Sequence, residues 1–151
     1  MSSLNIKPLG VVSAAIDGNR QQEKDFGFRF FLRPKIDLAS SPQLTAWAAE
    51  AVSGAIQNEF SLTPTIKLPN DVQIDGRKIA GVLVEMRAQE KAAHLAIAGI
   101  GVNVNQSRED FPKELQSRAI SWRWRLANKS IAKVLPSLSY ESWIGLTVKN
   151  S

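Results

Sequence analysis

The 151-residue chain is 44% hydrophobic and 22% charged, with no cysteine, one histidine and a formal net charge of +5, which suits one self-supporting domain and excludes disulfides, thiolate chemistry and multi-histidine metal centres. Nothing approaches the roughly 18 consecutive apolar residues of a membrane span, and the first residues lack a signal-peptide core, so a cytoplasmic protein without membrane attachment is expected. The basic excess favours an anionic partner without choosing among a nucleotide, a nucleic acid and an acidic protein.

In chain order, Val11 to Ile16 reads as a short strand, followed by turn chemistry at Asp17-Gly18-Asn19 and a polar stretch. Phe26, Phe28, Phe30 and Leu32 alternate with Gly27, Arg29, Phe31 and Arg33, the period of a strand with one buried face, which Pro34 ends. Leu44, Trp47, Ala48, Ala51, Val52, Ala55 and Ile56 recur at helical spacing behind Ser40-Ser41-Pro42, a capping hydroxyl and a first-turn proline. Short strands then return at Ile66-Lys67-Leu68 and Val72-Gln73-Ile74. The Asp75-Gly76 pair predicts a type I′ hairpin with a return strand from Arg77 to Met86. His94 to Val104 is a further apolar strand. Phe111 to Leu115 and Lys129 to Leu135 read as short helices, and the last fifteen residues are ambiguous. The expected class is α+β, a mainly antiparallel mixed sheet with helices on one face. No repeat, linker or composition shift divides the chain, so residues 1–151 are expected to form a single domain.

Two places concentrate polar groups or bare backbone. Lys67-Leu68-Pro69-Asn70-Asp71 sets a cation, an amide and a carboxylate around a proline turn, just before a strand carrying Lys78. Turn formation alone accounts for Asn70 and Asp71. Lys78, however, begins a face continued by Ala80, Val82 and Val84, where an ammonium needs an anionic partner or must snorkel from the strand end. Gly99 and Gly101 share one side of a strand that continues into Asn103, so a ligand or a helix is expected to approach there. With Gly81 and Leu83 on a neighbouring strand, the pattern allows a shallow apolar slot with polar ends. His94, without a partner histidine or cysteine, reads as structural. Trp122 and Trp124 alternate with Arg123 and Arg125, a half-buried strand or, less favoured, a nucleic-acid contact.

Lys67 to Asp71, then Asp75 to Glu85, then Gly99 to Asn105 with Phe111-Pro112, resembles in order and spacing the central block of the biotin protein ligase family. The resemblance covers residues 11–121 and implies a catalytic domain of the biotin and lipoate ligase type. Such enzymes adenylate biotin with magnesium-ATP and transfer it to a lysine on the acceptor domain of a carboxylase; a homodimer is a family habit. Motif matching makes Lys78 and Lys67 the catalytic cations, with Lys78 also meeting the biotin carboxylate. Gly81, Leu83, Gly99 and Gly101 would wall the biotin site. Asn70, Asp71 and Asn103 would hold the nucleotide, with magnesium entering beside Asn70 and Asn103 and no metal site made by protein alone.

The resemblance also sets expectations by its departures. The family's run Gly-Arg-Gly-Arg-x-Gly-Arg falls where this chain has Asp17-Gly18-Asn19-Arg20-Gln21-Gln22-Glu23-Lys24-Asp25, so slower adenylation is expected. The element that reads the biotin ureido ring has no counterpart, Leu68 stands for the motif's tryptophan, and no separate C-terminal barrel domain is expected. The alternative is a non-catalytic binder of a small acid, a nucleotide or an acceptor domain; lipoate is a second acid to consider.

Overall fold

The computed structural model describes residues 25–33, 36–90 and 94–125. Five strands form one antiparallel sheet: β1 (Asp25–Leu32), β2 (Thr65–Lys67), β3 (Asp71–Ile74), β4 (Arg77–Arg87) and β5 (Leu95–Asn103), in the order β1-β5-β4-β3-β2. The α+β expectation holds. The strand expected at 11–16, the interval 17–24, the helix at 129–135 and the C-terminal residues lie outside the described residues.

The single long helix, α1 (Ser41–Phe60), starts where Pro42 occupies its first turn and stops at Ser61, which adopts a left-handed conformation (φ 51°) and returns its N–H to the Gln57 carbonyl. The expected hydroxyl cap is absent. Ser40 makes no side-chain capping bond, because a 3-10 turn at Leu38–Ser40 leads directly into the helix. Leu44, Ala48, Val52, Ala55 and Ile56 form the stripe foreseen from their spacing and meet Val72, Ile74, Ala80, Val82, Ala98, Ile100 and Val102 of the sheet in one buried core. Because side chains alternate along a strand, filling this face leaves Gly81, Leu83, Gly99 and Gly101 on the other.

The hairpin between β3 and β4 forms as its sequence predicts, with Asp75 at φ 50° and Gly76 at φ 73°, both positive as a type I′ turn demands. One feature of β4 was not foreseen. Gln73 pairs with Lys78 but Val72 pairs with Ala80, so β4 carries a bulge with one extra residue at Ile79. The bulge lets Ile79 and Ala80 both be buried and turns Lys78 to the side of Gly81 and Leu83. The expectation that Lys78 begins the apolar face of Ala80, Val82 and Val84 is thereby corrected.

Between β5 and Ser121 the chain runs through turns and a 3-10 helix at Arg108–Asp110. Phe111 to Leu115 is not a helix: Leu115 and Gln116 both donate to the Pro112 carbonyl, and Arg118 and Ala119 to that of Leu115, so successive turns carry the chain back to β4. There Lys78 donates its N–H to Arg118 (2.7 Å) and accepts from Ile120 (2.9 Å), and Ala119 pairs with Lys78 in parallel. The alternating tryptophans and arginines are not a strand. They form a one-turn helix, α2 (Trp122–Arg125), capped by Ser121, whose Oγ accepts the Trp124 N–H at 3.2 Å. Trp122 is fully buried against Phe60, with ring centroids 4.3 Å apart, and the Arg77 guanidinium lies 4.8 Å above the Trp124 ring. These tryptophans are core and brace, which removes the basis for stacking on nucleic acid.

Candidate active site

The cross-strand register lines up the sheet face opposite α1 row by row. Gly27, Gly101 and Gly81 lie side by side across β1, β5 and β4, and the row continues through Asp71 of β3 to Lys67 of β2. In the next row, Arg29 neighbours Gly99, which neighbours Leu83. Gly81, Leu83, Gly99 and Gly101, expected to share a slot, are thus adjacent. Leu83 is 63% exposed and forms an apolar spot beside the glycines.

The glycines differ in what they permit. A Cβ at Gly101 would meet nothing within 4 Å, and at Gly99 only the Leu83 carbonyl oxygen at 3.7 Å. The helix that could have explained these two glycines packs on the opposite face, so among the described residues nothing lies over them. Gly81 is tighter: a Cβ there would stand 3.0 Å from both Cε and Nζ of Lys78. The lysine stem crosses the bare backbone of Gly81 and brings its ammonium 2.5 Å from Asp71 Oδ1. A residue with a side chain at position 81 would push the stem aside, so glycine here is the seat of Lys78.

Lys67 is exposed at the end of the glycine row and pairs across the strands with Asp71. Leu68 and Pro69, joined by a cis peptide bond, stand exposed beyond it, Leu68 at 74%. Asn70 anchors the motif to the sheet, its carbonyl accepting the Val82 N–H at 2.9 Å. Asn103 braces the start of β4. Its amide nitrogen donates to the carbonyls of Lys78 (3.3 Å) and Ile120 (3.1 Å), clamping the returning chain to the start of β4. Lys67, Asp71, Lys78, Gly81, Leu83, Gly99 and Gly101 therefore meet on one face; Asn103, two residues beyond Gly101 on the same side of β5, spends its amide nitrogen on the backbone of Lys78 and Ile120.

Sequence reading missed Gly27 and Arg29 as members of this face. The signal was present, since both alternate with the phenylalanines of β1, but only the register shows which strand they adjoin. His94 is structural as expected: its Nδ1 accepts the Gln89 N–H at 3.4 Å across the loop between β4 and β5, and the Gln89 side chain in turn accepts from Arg33. No group of three or more His, Cys, Asp or Glu residues suited to a metal ion occurs among the described residues, and no described helix is long and apolar enough to cross a membrane.

The antiparallel sheet backed by α1 has the fold of the biotin and lipoate ligases. A model of the biotin/lipoate A/B protein ligase family matches residues 34–103, which hold α1 and β2 to β5. The bifunctional ligase/repressor BirA of Bacillus subtilis is 48% identical over 90 residues, 60% of this chain and 28% of that protein. Its counterpart in Bacillus spizizenii is 44% identical over 101 residues, 67% of this chain and 31% of that protein. The chain thus spans about a third of the curated relatives it matches. The biotin protein ligase of Aquifex aeolicus, solved in complex with biotin and ATP, shares 30% identity with a TM-score of 0.61 over 85% of this chain and 50% of that one. The chain belongs to the biotin protein ligase family.

Proposed function

We propose that the glycine face binds biotin and that Lys78 stands at the reacting end. In the first step a biotin carboxylate oxygen attacks the α-phosphorus of magnesium-ATP, and the bond to pyrophosphate breaks. In the second, the amine of an acceptor lysine attacks the carbonyl of biotinyl-adenylate, AMP leaves and the amine loses a proton. Charge on the phosphoryl oxygens grows in the first step, and a fixed ammonium beside them lowers that barrier. Magnesium enters as part of the nucleotide substrate; Asn70 and Asp71 are the oxygen-bearing groups nearest Lys67 on the motif turn, and the Asn103 amide nitrogen is already committed to backbone. The acceptor is a biotin-carrying domain of a carboxylase, and a homodimer, a cytoplasmic setting and confinement of these steps to one domain belong to the same reading.

The observation that carries the proposal is the placement of Lys78 on the bare face, stem across Gly81 and ammonium on Asp71. Residues 17–25 supply only Arg20 and Lys24 as cations, opposed by Glu23 and the two aspartates. Losing even one donor to a charge developing in a transition state costs roughly a hundredfold in rate, so adenylation is expected to run at least about that much below an ordinary ligase. Calorimetry with biotin, with ATP and with both, followed by a biotin-dependent pyrophosphate release assay, tests both parts. Binding of biotin with slow release of pyrophosphate is expected. Binding without release would leave a small-acid binding protein, and no binding of either ligand at millimolar concentration would reject the ligase reading.

A further inference from the structure

We infer that Arg29 is a second anion-recognising residue of this face and adds its charge to that of Lys78, which Asp71 partly offsets. The inference rests on the reading of the glycine face as a biotin floor. Across the row, Arg29 adjoins Gly99, which adjoins the exposed Leu83; along its own strand it stands between Gly27 and Phe31 on the same side. None of these neighbours is acidic, and among the described residues Arg29, itself exposed, takes part in no ion pair. Lys78 differs in being paired: the Asp71 carboxylate 2.5 Å from its ammonium offsets part of the charge it presents to an incoming anion. Arg29 is therefore a cation of the floor without an ion pair among the described residues, as is Lys67 at the far end of the glycine row.

Its chemistry suits the task. A guanidinium offers a planar fork of donors that meets a carboxylate or a phosphate in two parallel hydrogen bonds. With strands about 4.8 Å apart and a rise of about 6.8 Å over two residues, the Arg29 Cα lies roughly 12 Å from that of Gly81, and Gly99 and Gly101 fill the ground between with bare backbone. The Lys78 ammonium sits over Gly81, so an Arg29 side chain extended toward it would leave room for one anionic group between the two heads. The ligand class is a small acid with an apolar body, its carboxylate or the phosphate later bonded to it lying between Arg29 and the Lys78 ammonium while the body covers Leu83.

The test compares biotin with biotinamide, which keeps the ring and chain but lacks the negative charge. Calorimetry on the whole chain is expected to show Arg29→Gln weakening biotin binding by about ten- to a hundredfold, the loss of one charge-assisted contact, while biotinamide binding is unchanged. Arg29→Lys should restore part of the loss. Biotin binding unchanged in Arg29→Gln, or both ligands weakened equally, would overturn the inference while leaving the biotin reading in place. If the wild-type chain ignores biotin but binds lipoate or AMP in an Arg29-dependent way, the biotin reading fails and the anion site survives. Binding of none of these by the wild-type chain overturns both.

Discussion

The two faces of one sheet are built from the same strands, yet they follow opposite rules. On the α1 side Val72, Val82, Ile100 and Val102 are buried in one core with Val52 and Ile56, and Trp122 packs against Phe60. On the other side the same strands carry Gly27, Gly81, Gly99 and Gly101, and the one large apolar residue of β4 there, Leu83, stands in the open. Glycine weakens a strand, since it gives up packing and costs backbone entropy. Four of them in two adjoining rows give up stability that this fold could have had. The proposed function gives a reason for a surface left bare while its reverse is packed: it is kept for a ligand.

The widest gap between the faces should appear in stability. Trp122→Ala removes a fully buried ring from the packed side and is expected to lower the free energy of unfolding by about 3–5 kcal/mol, measured by urea denaturation. A loss under 1 kcal/mol would mean that α2 is not part of the core. Lys78→Ala acts on the bare side and should separate the two properties. Its ion pair with Asp71 is partly exposed, so unfolding should change by less than about 1 kcal/mol, while biotin binding weakens by about 1.5–3 kcal/mol. Unchanged affinity in calorimetry would put the ammonium outside the site. The smallest change in stability has the opposite sign: Gly101→Ala places a methyl group where nothing lies within 4 Å, so stability should rise by about 0.5–1 kcal/mol while biotin affinity falls. A variant both more stable and equally able to bind would show that the face is empty of function.

How much of this was legible in the sequence depends on how local the cause was. The α1 stripe, the Asp75-Gly76 turn and the alternating glycines are set by short-range geometry, and each appears as read. The bulge at Ile79 was not legible, because a run of Lys78-Ile79-Ala80 fits regular alternation until the pairing with Gln73 and Val72 is known; with it went the side on which Lys78 lies. The Trp122–Arg125 segment reads as a strand by its alternation but folds as a helix, because its N-terminal cap outweighs the pattern. Ser121 stood immediately before it, and its hydroxyl both accepts the Trp124 N–H and donates to the Gln106 carbonyl at 2.5 Å. Arg29 and Gly27 could be assigned to a face but not to a neighbour, since register across β1 and β5 is a long-range property.

The account turns on ligand contact with one face of the sheet and not the other, which glycine amide resonances report directly. In a titration of the 15N-glycine-labelled chain with biotin, followed by two-dimensional NMR, Gly27, Gly81, Gly99 and Gly101 are expected to shift together. Gly54 within α1 and Gly76 at the hairpin tip should stay in place. Shifts at Gly54 with none among the four sheet glycines, or no shift anywhere at millimolar biotin, would contradict the claim that the bare face is the binding floor.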